Sequence, residues 1–198
     1  MAGERVVPGT SPRNRSQTYT YREYRSWPDD ERWELIRGEA YSMSPAPRRK
    51  HQALLIRVCG ELDAFFLGQP CRPYIAPVDV FFPDAEEPLD EIKNVVQPDA
   101  FVVCDRSRLI DEGVYGAPDF IIEVLSSTTA MKDQSVKRAL YEANGVREYW
   151  IVNPDTFEVF IYTLNDGSYG LPRVADLREP VAVSIFPGLS LSVRESDL

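Results

Sequence analysis

Two carboxylates are the residues of this chain best suited to do chemistry. Asp99 follows Pro98 at the start of the apolar run 100–104, and Glu123 lies inside the apolar run 119–125. Runs of this kind are typical of strands that are buried on both faces of a sheet. A carboxylate there is costly to desolvate unless a cation, a hydrogen-bond donor or a proton compensates it. Two of them on neighbouring strands predict a site for one divalent metal ion.

The chemistry that such a site would serve is hydrolysis of a phosphodiester. Mg²⁺ held by carboxylates offsets the charge of the scissile phosphate and makes a bound water nucleophilic, and a nearby lysine can orient that water. The net charge of −9 and the pI near 4.7 argue against a general nucleic-acid coat protein. They leave room for a local basic cleft, or for a metal ion that offsets the charge of the substrate.

The elements that must position these residues predict one domain of mixed α/β (α+β) class. The chain has 198 residues, of which 43% are hydrophobic, which is enough for a sizeable core. Residues 1–17 are rich in Pro, Gly, Arg and Ser and predict a flexible tail, so 18–198 is the expected domain. We expect a mixed β-sheet flanked by helices, with an N-terminal hairpin and a C-terminal β-meander.

Local patterns give approximate bounds for these elements. Thr20 and Glu23 match a capping box, apolar residues recur at helical spacing over 48–67, and Asn144–Gly145 is typical of a helix end. The unit spanning 119–152 reads strand–helix–strand, which predicts a right-handed crossover between parallel strands. The expected helices are 21–27, 48–67 and 133–144; the expected strands are a hairpin over 33–43 with its turn at Gly38–Glu39, then 74–82, 95–104, 119–125, 148–152 and 157–162, and a meander with a turn at Pro187–Gly188.

The cysteines and the apolar segments bear on the compartment. Cys59, Cys71 and Cys104 are scattered and form no C-x-x-C pair, which predicts reduced thiols in a cytoplasmic protein. The first twenty residues are polar, so no secretory signal is expected. No apolar stretch approaches the roughly 18 residues needed to span a bilayer, and we expect no association with a membrane.

Several motifs of the chain, taken together and in order, resemble the Uma family of bacterial proteins interpreted as endonucleases. This family belongs to the PD-(D/E)xK nucleases, which have the restriction-endonuclease-like fold. The resemblance spans about residues 18–165 and implies a DNA substrate, Mg²⁺ (with Mn²⁺ as a substitute) and a homodimer. The matching segments are 32–39, 45–47 with His51, 97–99, 118–126, Asp133 with Lys137 and Tyr141, and 145–152.

The resemblance also implies a set of site residues. Asp99 and Glu123 would bind the metal, together with the carbonyl of Val124. The PD-(D/E)xK pattern expects a lysine two residues after the glutamate, but that position is Leu125. The Uma-type pattern moves the lysine to the next helix, at Lys137, where Asp133 would share its face. Lys132 and Arg138 are less favoured substitutes.

Two further residues enter the predicted site in support. The resemblance places a histidine at position 51, where it would line the site and contact phosphate or water. Related nucleases use an extra acidic residue from an N-terminal element, and we favour Glu39 over Glu34, since Glu34 could equally pair with a nearby arginine. Asp79 is either a third acidic group or, as we favour, the solvent-facing residue of an alternating strand.

Each of these residues also has an ordinary structural interpretation. Asp99 could be a turn residue, Glu123 a member of a structural ion pair, Lys137 a solvated lysine and His51 a surface or capping residue. The basic run 48–50 is either a phosphate contact or the solvated start of a helix.

The alternatives to an endonuclease are of two kinds. One is a binding or regulatory module that keeps the nuclease fold without turnover, which the acidic composition and the missing in-motif lysine favour. The other is an interaction protein, such as a partner in a mobile-element or toxin system.

Overall fold

The computed structural model describes residues 17–28, 32–43, 48–125 and 130–197, with 130–134 and 197 described by their backbone alone. The helices are α1 (Tyr21–Tyr24), α2 (Arg49–Phe66) and α3 (Ala130–Ala143). The strands are β1 (Trp33–Ile36), β2 (Glu39–Ser42), β3 (Arg72–Ile75), β4 (Asp79–Phe81), β5 (Val95–Val96), β6 (Ala100–Val103), β7 (Leu109–Ile110), β8 (Gly113–Tyr115), β9 (Phe120–Val124), β10 (Glu148–Val152), β11 (Glu158–Asn165), β12 (Ser168–Tyr169), β13 (Arg173–Asp176), β14 (Val181–Ala182) and β15 (Ser190–Leu191). The predicted tail lies almost wholly outside these residues.

Two mixed sheets make up most of the fold. The first has the order β2-β1-β5-β4-β8-β7, and the second, larger sheet has the order β12-β11-β10-β9-β6-β3, with β13 also paired to β11. Strands β9 and β10 are parallel and are joined through α3, as the sequence predicts, while β6 runs antiparallel to β9. Strands β14 and β15 form a separate hairpin that turns at Pro187–Gly188.

The two faces of the larger sheet are covered by different elements. Helix α2 packs its apolar stripe against one face, and its buried residues recur at the helical spacing that the sequence predicts. The first sheet and α3 cover the other face, where Leu140 and Tyr141 join the core. Because β9 is buried on both faces, every residue from Phe120 to Val124 is inaccessible or nearly so.

Two segments that the sequence predicts as single strands are each divided between the two sheets. The first, 74–82, separates into β3 of the larger sheet and β4 of the first, with Ala76–Pro77 between them; the second, 95–104, separates into β5 and β6 around Gln97–Pro98. Proline has no backbone N–H, so it ends a ladder of hydrogen bonds. Asp99 therefore lies where the chain passes from one sheet to the other.

The N-terminal hairpin forms, but its turn is one residue earlier than predicted. Arg37 and Gly38 both have φ in the left-handed region, at 54° and 78°, as a two-residue hairpin turn requires. Ile36 therefore pairs with Glu39. All four residues of β1 are buried, whereas Glu39 at the start of β2 is exposed.

The prediction of three reduced cysteines is wrong for two of them. Cys71 and Cys104 form a disulfide, and Cys59 is free. The pairing follows from the antiparallel register of β3 and β6, in which Arg72 is opposite Val103. The residue before Arg72 and the residue after Val103, which are the two cysteines, are therefore also opposite each other. Within the described residues, no helix is long and apolar enough to cross a membrane.

Candidate active site

The two carboxylates that the sequence singles out lie opposite one another on neighbouring strands. Ala100 of β6 pairs with Ile122 of β9, and the same register continued by one residue places Asp99 opposite Glu123. The backbone N–H of Val124 donates to Asp99 Oδ2 over 2.8 Å. This bond fixes the Asp99 side chain at the edge of the sheet, directly beside the segment that carries Glu123.

Lys137 reaches this pair from α3. Its Nζ lies 2.9 Å from Glu123 Oε1 and 2.8 Å from Glu34 Oε1, and its side chain is only 12% exposed. The ammonium therefore occupies the neighbourhood of Glu123 even though Leu125 holds the position where the common motif has its lysine. The side chain of Asp133, which the sequence placed on the same helix face, lies outside the described residues.

Tyr141 also belongs to this cluster, although the sequence did not lead us to assign it to the site. It lies one helical turn beyond Lys137, is fully buried, and donates its hydroxyl to Glu123 Oε1 over 2.8 Å. Residues four apart on a helix share a face, so the spacing of Lys137 and Tyr141 was the signal that could have found it.

The structure brings Glu34, and not Glu39, to the cluster. Glu34 Oε1 accepts both from Lys137 and, over 2.9 Å, from the backbone N–H of Gln97, two residues before Asp99. Glu39 is exposed and accepts instead from the Tyr41 hydroxyl. The preference for Glu39 therefore has no support in the geometry, because a hairpin turn at Arg37–Gly38 leaves Glu39 outside.

His51 approaches Asp99 from the first turn of α2. Its Nε2 lies 3.2 Å from Asp99 Oδ2, and the residue is only 5% exposed. Its other ring nitrogen, Nδ1, is buried and has no hydrogen-bond partner among the residues that the structure describes. His51 thus lies beside Asp99, and its predicted contact with phosphate or water stays a prediction.

Asp79 lies apart from this cluster. It is half-buried, because the Tyr24 hydroxyl and the Gln97 amide cover it and donate to its Oδ1 over 3.1 and 2.8 Å. Burial raises the pKa of Asp79. The expectation of a solvent-facing carboxylate is therefore wrong, and the residue is a covered, hydrogen-bonded one.

The electrostatics of the cluster are unbalanced toward negative charge. Burial raises the pKa of Glu123, and the neighbouring carboxylates of Asp99 and Glu34 raise it further, against the opposing effect of Lys137. Burial alone would lower the pKa of Lys137, but its contacts with Glu123 and Glu34 outweigh burial and raise it. One ammonium with three nearby carboxylates keeps its proton, and the repulsion among the carboxylates is expressed in the raised pKa of Glu123.

The donor set is compatible with one hard divalent cation. Among the described residues, no group of three or more His, Cys, Asp or Glu side chains is arranged to hold a metal ion. Mg²⁺, however, commonly uses one or two carboxylates and takes its other ligands from water and substrate phosphates. Asp99 Oδ1 and Glu123 Oε2 accept no hydrogen bond from the described residues, since the contacts of both carboxylates fall on the other oxygen. The uncompensated negative charge also favours a cation here.

Comparison with known proteins identifies the fold and the family of this chain. The crystal structure of a "putative nuclease belonging to DUF820" from Anabaena variabilis superposes with a TM-score of 0.69 at 22% identity, covering 87% of this chain and 94% of that chain. The fold is therefore the restriction-endonuclease-like nuclease fold. The sequence profile of the Uma2 family, described as "Putative restriction endonuclease", matches residues 21–194, and the chain belongs to this family. The "Uncharacterized protein slr1290" of Synechocystis sp. is 26% identical over 151 residues, which is 73% of each chain.

Proposed function

We propose that this protein is a Mg²⁺-dependent endonuclease that hydrolyses phosphodiester bonds of DNA. The observation that carries the proposal is the position of Lys137 Nζ, which contacts Glu123 and Glu34 next to Asp99. A pair of carboxylates can hold a metal ion that assists phosphodiester hydrolysis, and an ammonium beside them can stabilise the developing negative charge. Membership of the Uma2 family supports the same reaction class.

Asp99 and Glu123 would hold the metal ion, with the Val124 carbonyl as a further ligand and Mn²⁺ as a substitute. Bound there, the ion would offset the charge of the scissile phosphate and lower the pKa of a bound water. The free oxygens of the two carboxylates and the excess negative charge of the cluster support this assignment.

The chain's own residues would then control the attacking water and the developing charge. Lys137 would donate from its ammonium to the water or to the phosphate oxygens, while Glu34 holds that ammonium in place. Tyr141 would keep the Glu123 carboxylate in one orientation through its hydrogen bond. The attacking water would give one proton to solvent as its oxygen forms the new bond to phosphorus. The bond between phosphorus and the leaving oxygen would break, and the leaving oxygen would take a proton from solvent.

The test is cleavage of supercoiled plasmid and of labelled duplex DNA in Mg²⁺, in Mn²⁺ and in EDTA. We expect cleavage in either metal, none in EDTA, and none for Glu123→Ala with an unchanged circular dichroism spectrum. Glu39→Ala is the matched control. It removes a carboxylate that lies outside the cluster, on the hairpin that also carries Glu34, and this variant should cleave normally. Unchanged cleavage by purified Glu123→Ala would sink the assignment.

A second candidate is a nuclease-fold binding module without turnover. The observation that favours it is the double engagement of Lys137 by two carboxylates, together with the acidic composition of the chain. Calorimetric titration with Mn²⁺ separates the two candidates when it is run beside the cleavage assay. Metal binding that is lost in Asp99→Asn, without any cleavage by the wild type, would identify the binding module.

A further inference from the structure

A cavity of about 280 Å³ opens at the N-terminal end of α2, beside the candidate active site. Arg48, Lys50 and His51 line it from the helix, and Leu125 and Asp155 line it from the ends of β9 and β10. His51 belongs to both places, because its Nε2 contacts Asp99 while the ring also borders the cavity. A group bound here would lie next to the metal-binding carboxylates.

The imidazole of His51 borders the cavity, and its two ring nitrogens differ in their contacts. Nδ1 is buried and makes no hydrogen bond with the residues that the structure describes, whereas Nε2 contacts Asp99. A buried polar atom without a partner is costly, and such atoms are rare in folded proteins. A group that enters the cavity therefore meets an imidazole whose hydrogen bonding among the described residues is incomplete.

The charge around the cavity selects the kind of ligand. Three consecutive cations, Arg48, Arg49 and Lys50, are exposed at the start of α2, and the first turn of the helix contains no acidic residue. The N-terminal end of a helix is also the positive end of its dipole and favours anions. In a chain with a net charge of −9, this local concentration of positive charge is a distinct feature.

The neighbouring acidic residue does not block an anion. Lys50 Nζ lies 3.5 Å from Asp155 Oδ1, but both side chains are largely exposed, at 48% and 66%. Exposed pairs of this kind contribute little to stability and rearrange easily. The described lining of the cavity contains no Phe, Tyr or Trp, the side chains on which bases commonly stack.

We propose that this cavity binds an internal phosphodiester of the nucleic-acid strand, next to the phosphate that is cut. The inference rests on the proposed function and adds a backbone-binding subsite to it. A phosphate carries the negative charge and the several acceptor oxygens that arginine and lysine recognise.

Binding is tested by fluorescence anisotropy of a labelled DNA duplex at several salt concentrations. The host is Glu123→Gln, which allows binding to be measured without cleavage. We expect Arg48→Gln and Lys50→Gln, both at exposed positions, to weaken binding several-fold and to reduce the slope of log K against log salt by about one unit each. Arg106→Gln is the matched control, because it removes one charge from an exposed arginine outside the cavity, and it should bind like the host.

The source of the phosphate is tested with two modified substrates. Replacing single internal linkages by neutral methylphosphonates should weaken binding at one or two positions beside the cut. At those positions the Arg48→Gln and Lys50→Gln proteins should show no further loss. Removing a 5′-terminal phosphate should not change binding. If only this removal weakens binding, the cavity binds a terminal phosphate and not an internal phosphodiester, and the proposal is overturned.

The results also separate this inference from the proposed function. Normal, Glu123-dependent cleavage with cavity variants that bind like Arg106→Gln overturns the cavity alone. Binding that depends on Arg48 and Lys50 in a protein that never cleaves DNA supports the cavity and overturns the endonuclease. Failure to bind DNA at all overturns both.

Discussion

Two buried glutamates on adjacent strands of the larger sheet make an informative comparison. Glu123 lies on β9 and Glu148 on β10, and these strands are parallel neighbours. In the register Glu123 is opposite Ile151, whereas Glu148 is opposite Phe120, so the two carboxylates point to opposite faces of the sheet. Burial raises the pKa of both.

Their partners differ in a way that separates structure from chemistry. Glu148 is satisfied on both oxygens by neutral donors, with Trp150 Nε1 at 2.7 Å from Oε1 and the backbone N–H of Ile185 at 3.1 Å from Oε2. Glu123 receives Lys137 and Tyr141 on one oxygen and nothing from the described residues on the other. A carboxylate saturated by neutral donors anchors a segment, whereas one that keeps an unused oxygen among other charges can take a ligand.

The largest expected effect is on cleavage. We expect Glu123→Gln to lower kcat by about 10³-fold, the size of effect found when one electrostatic group at a reacting centre is removed. Glu148→Gln should keep wild-type kcat per folded molecule, because it lies on the other face of the sheet. Steady-state cleavage of a labelled duplex measures both, and an equal loss in the two variants would erase the distinction.

The next effect is on stability, through the cation that only Glu123 has. Lys137→Met leaves Glu34 and Glu123 close together without an ammonium, and we expect the free energy of unfolding to fall by about 3 kcal/mol, since breaking a buried ion pair is strongly destabilising. Arg138→Met removes the adjacent cation, which lies over the Tyr162 ring 5.5 Å away, and should cost less than about 1 kcal/mol. Urea unfolding gives both values; a Lys137→Met protein as stable as Arg138→Met would contradict the ion pair.

A smaller effect is expected on the stability of the two glutamine variants, where Glu148→Gln should lose more than Glu123→Gln. Glu148→Gln places an amide N–H₂ against one of two donors, which should lower the free energy of unfolding by about 1–2 kcal/mol. Glu123→Gln keeps an acceptor for Lys137 and relieves repulsion from Asp99 and Glu34, so its stability should equal or exceed that of the wild type. Thermal unfolding in metal-free buffer is the measurement, and a larger loss in Glu123→Gln would assign Glu123 to structure.

The smallest expected effect is on the dependence of the free energy of unfolding on pH. Both glutamates have a folded-state pKa above the unfolded value, so the folded state binds more protons between the two values and stability falls as pH rises through that window. One such group contributes at most about 1.4 kcal/mol per pH unit. In the Glu148→Gln background, which removes the contribution of Glu148, added Mg²⁺ should flatten the slope. In the Glu123→Gln background, Mg²⁺ should leave it unchanged. Urea unfolding from pH 5 to 8 measures this slope. An equal response to Mg²⁺ in both backgrounds would contradict metal binding by Glu123.

The sequence predicted the parts of the site that depend on local pattern. Glu123 lies inside an apolar run and Asp99 directly before one, so their strands followed from burial. The adjacency of these strands was an assumption, which the pairing of β6 with β9 supports. Lys137 followed from its place in the ordered set of Uma-type segments. The β9–α3–β10 unit was predictable from local pattern, because its elements have clear periodicity and the chain order implies a parallel crossover.

What the sequence could not show depends on how distant segments pair. All four residues of β1 are buried, so no alternation indicated that Glu34 rather than Glu39 faces the cluster. Pro77 and Pro98 marked the places where the chain changes sheets, but proline is also tolerated at strand edges and starts. The Cys71–Cys104 bond required the β3–β6 register, which no local pattern contains.

The candidate site draws on segments that are far apart in the chain and on both sheets. Glu34 comes from the first sheet, Glu123 from the second, Asp99 from the chain between them and Lys137 from the helix that follows. A nascent chain that ends before α3 lacks its ammonium, and a chain whose sheets have not yet met has no centre at all. The complete cluster therefore exists only in a chain that has been synthesised past α3 and whose two sheets have packed together.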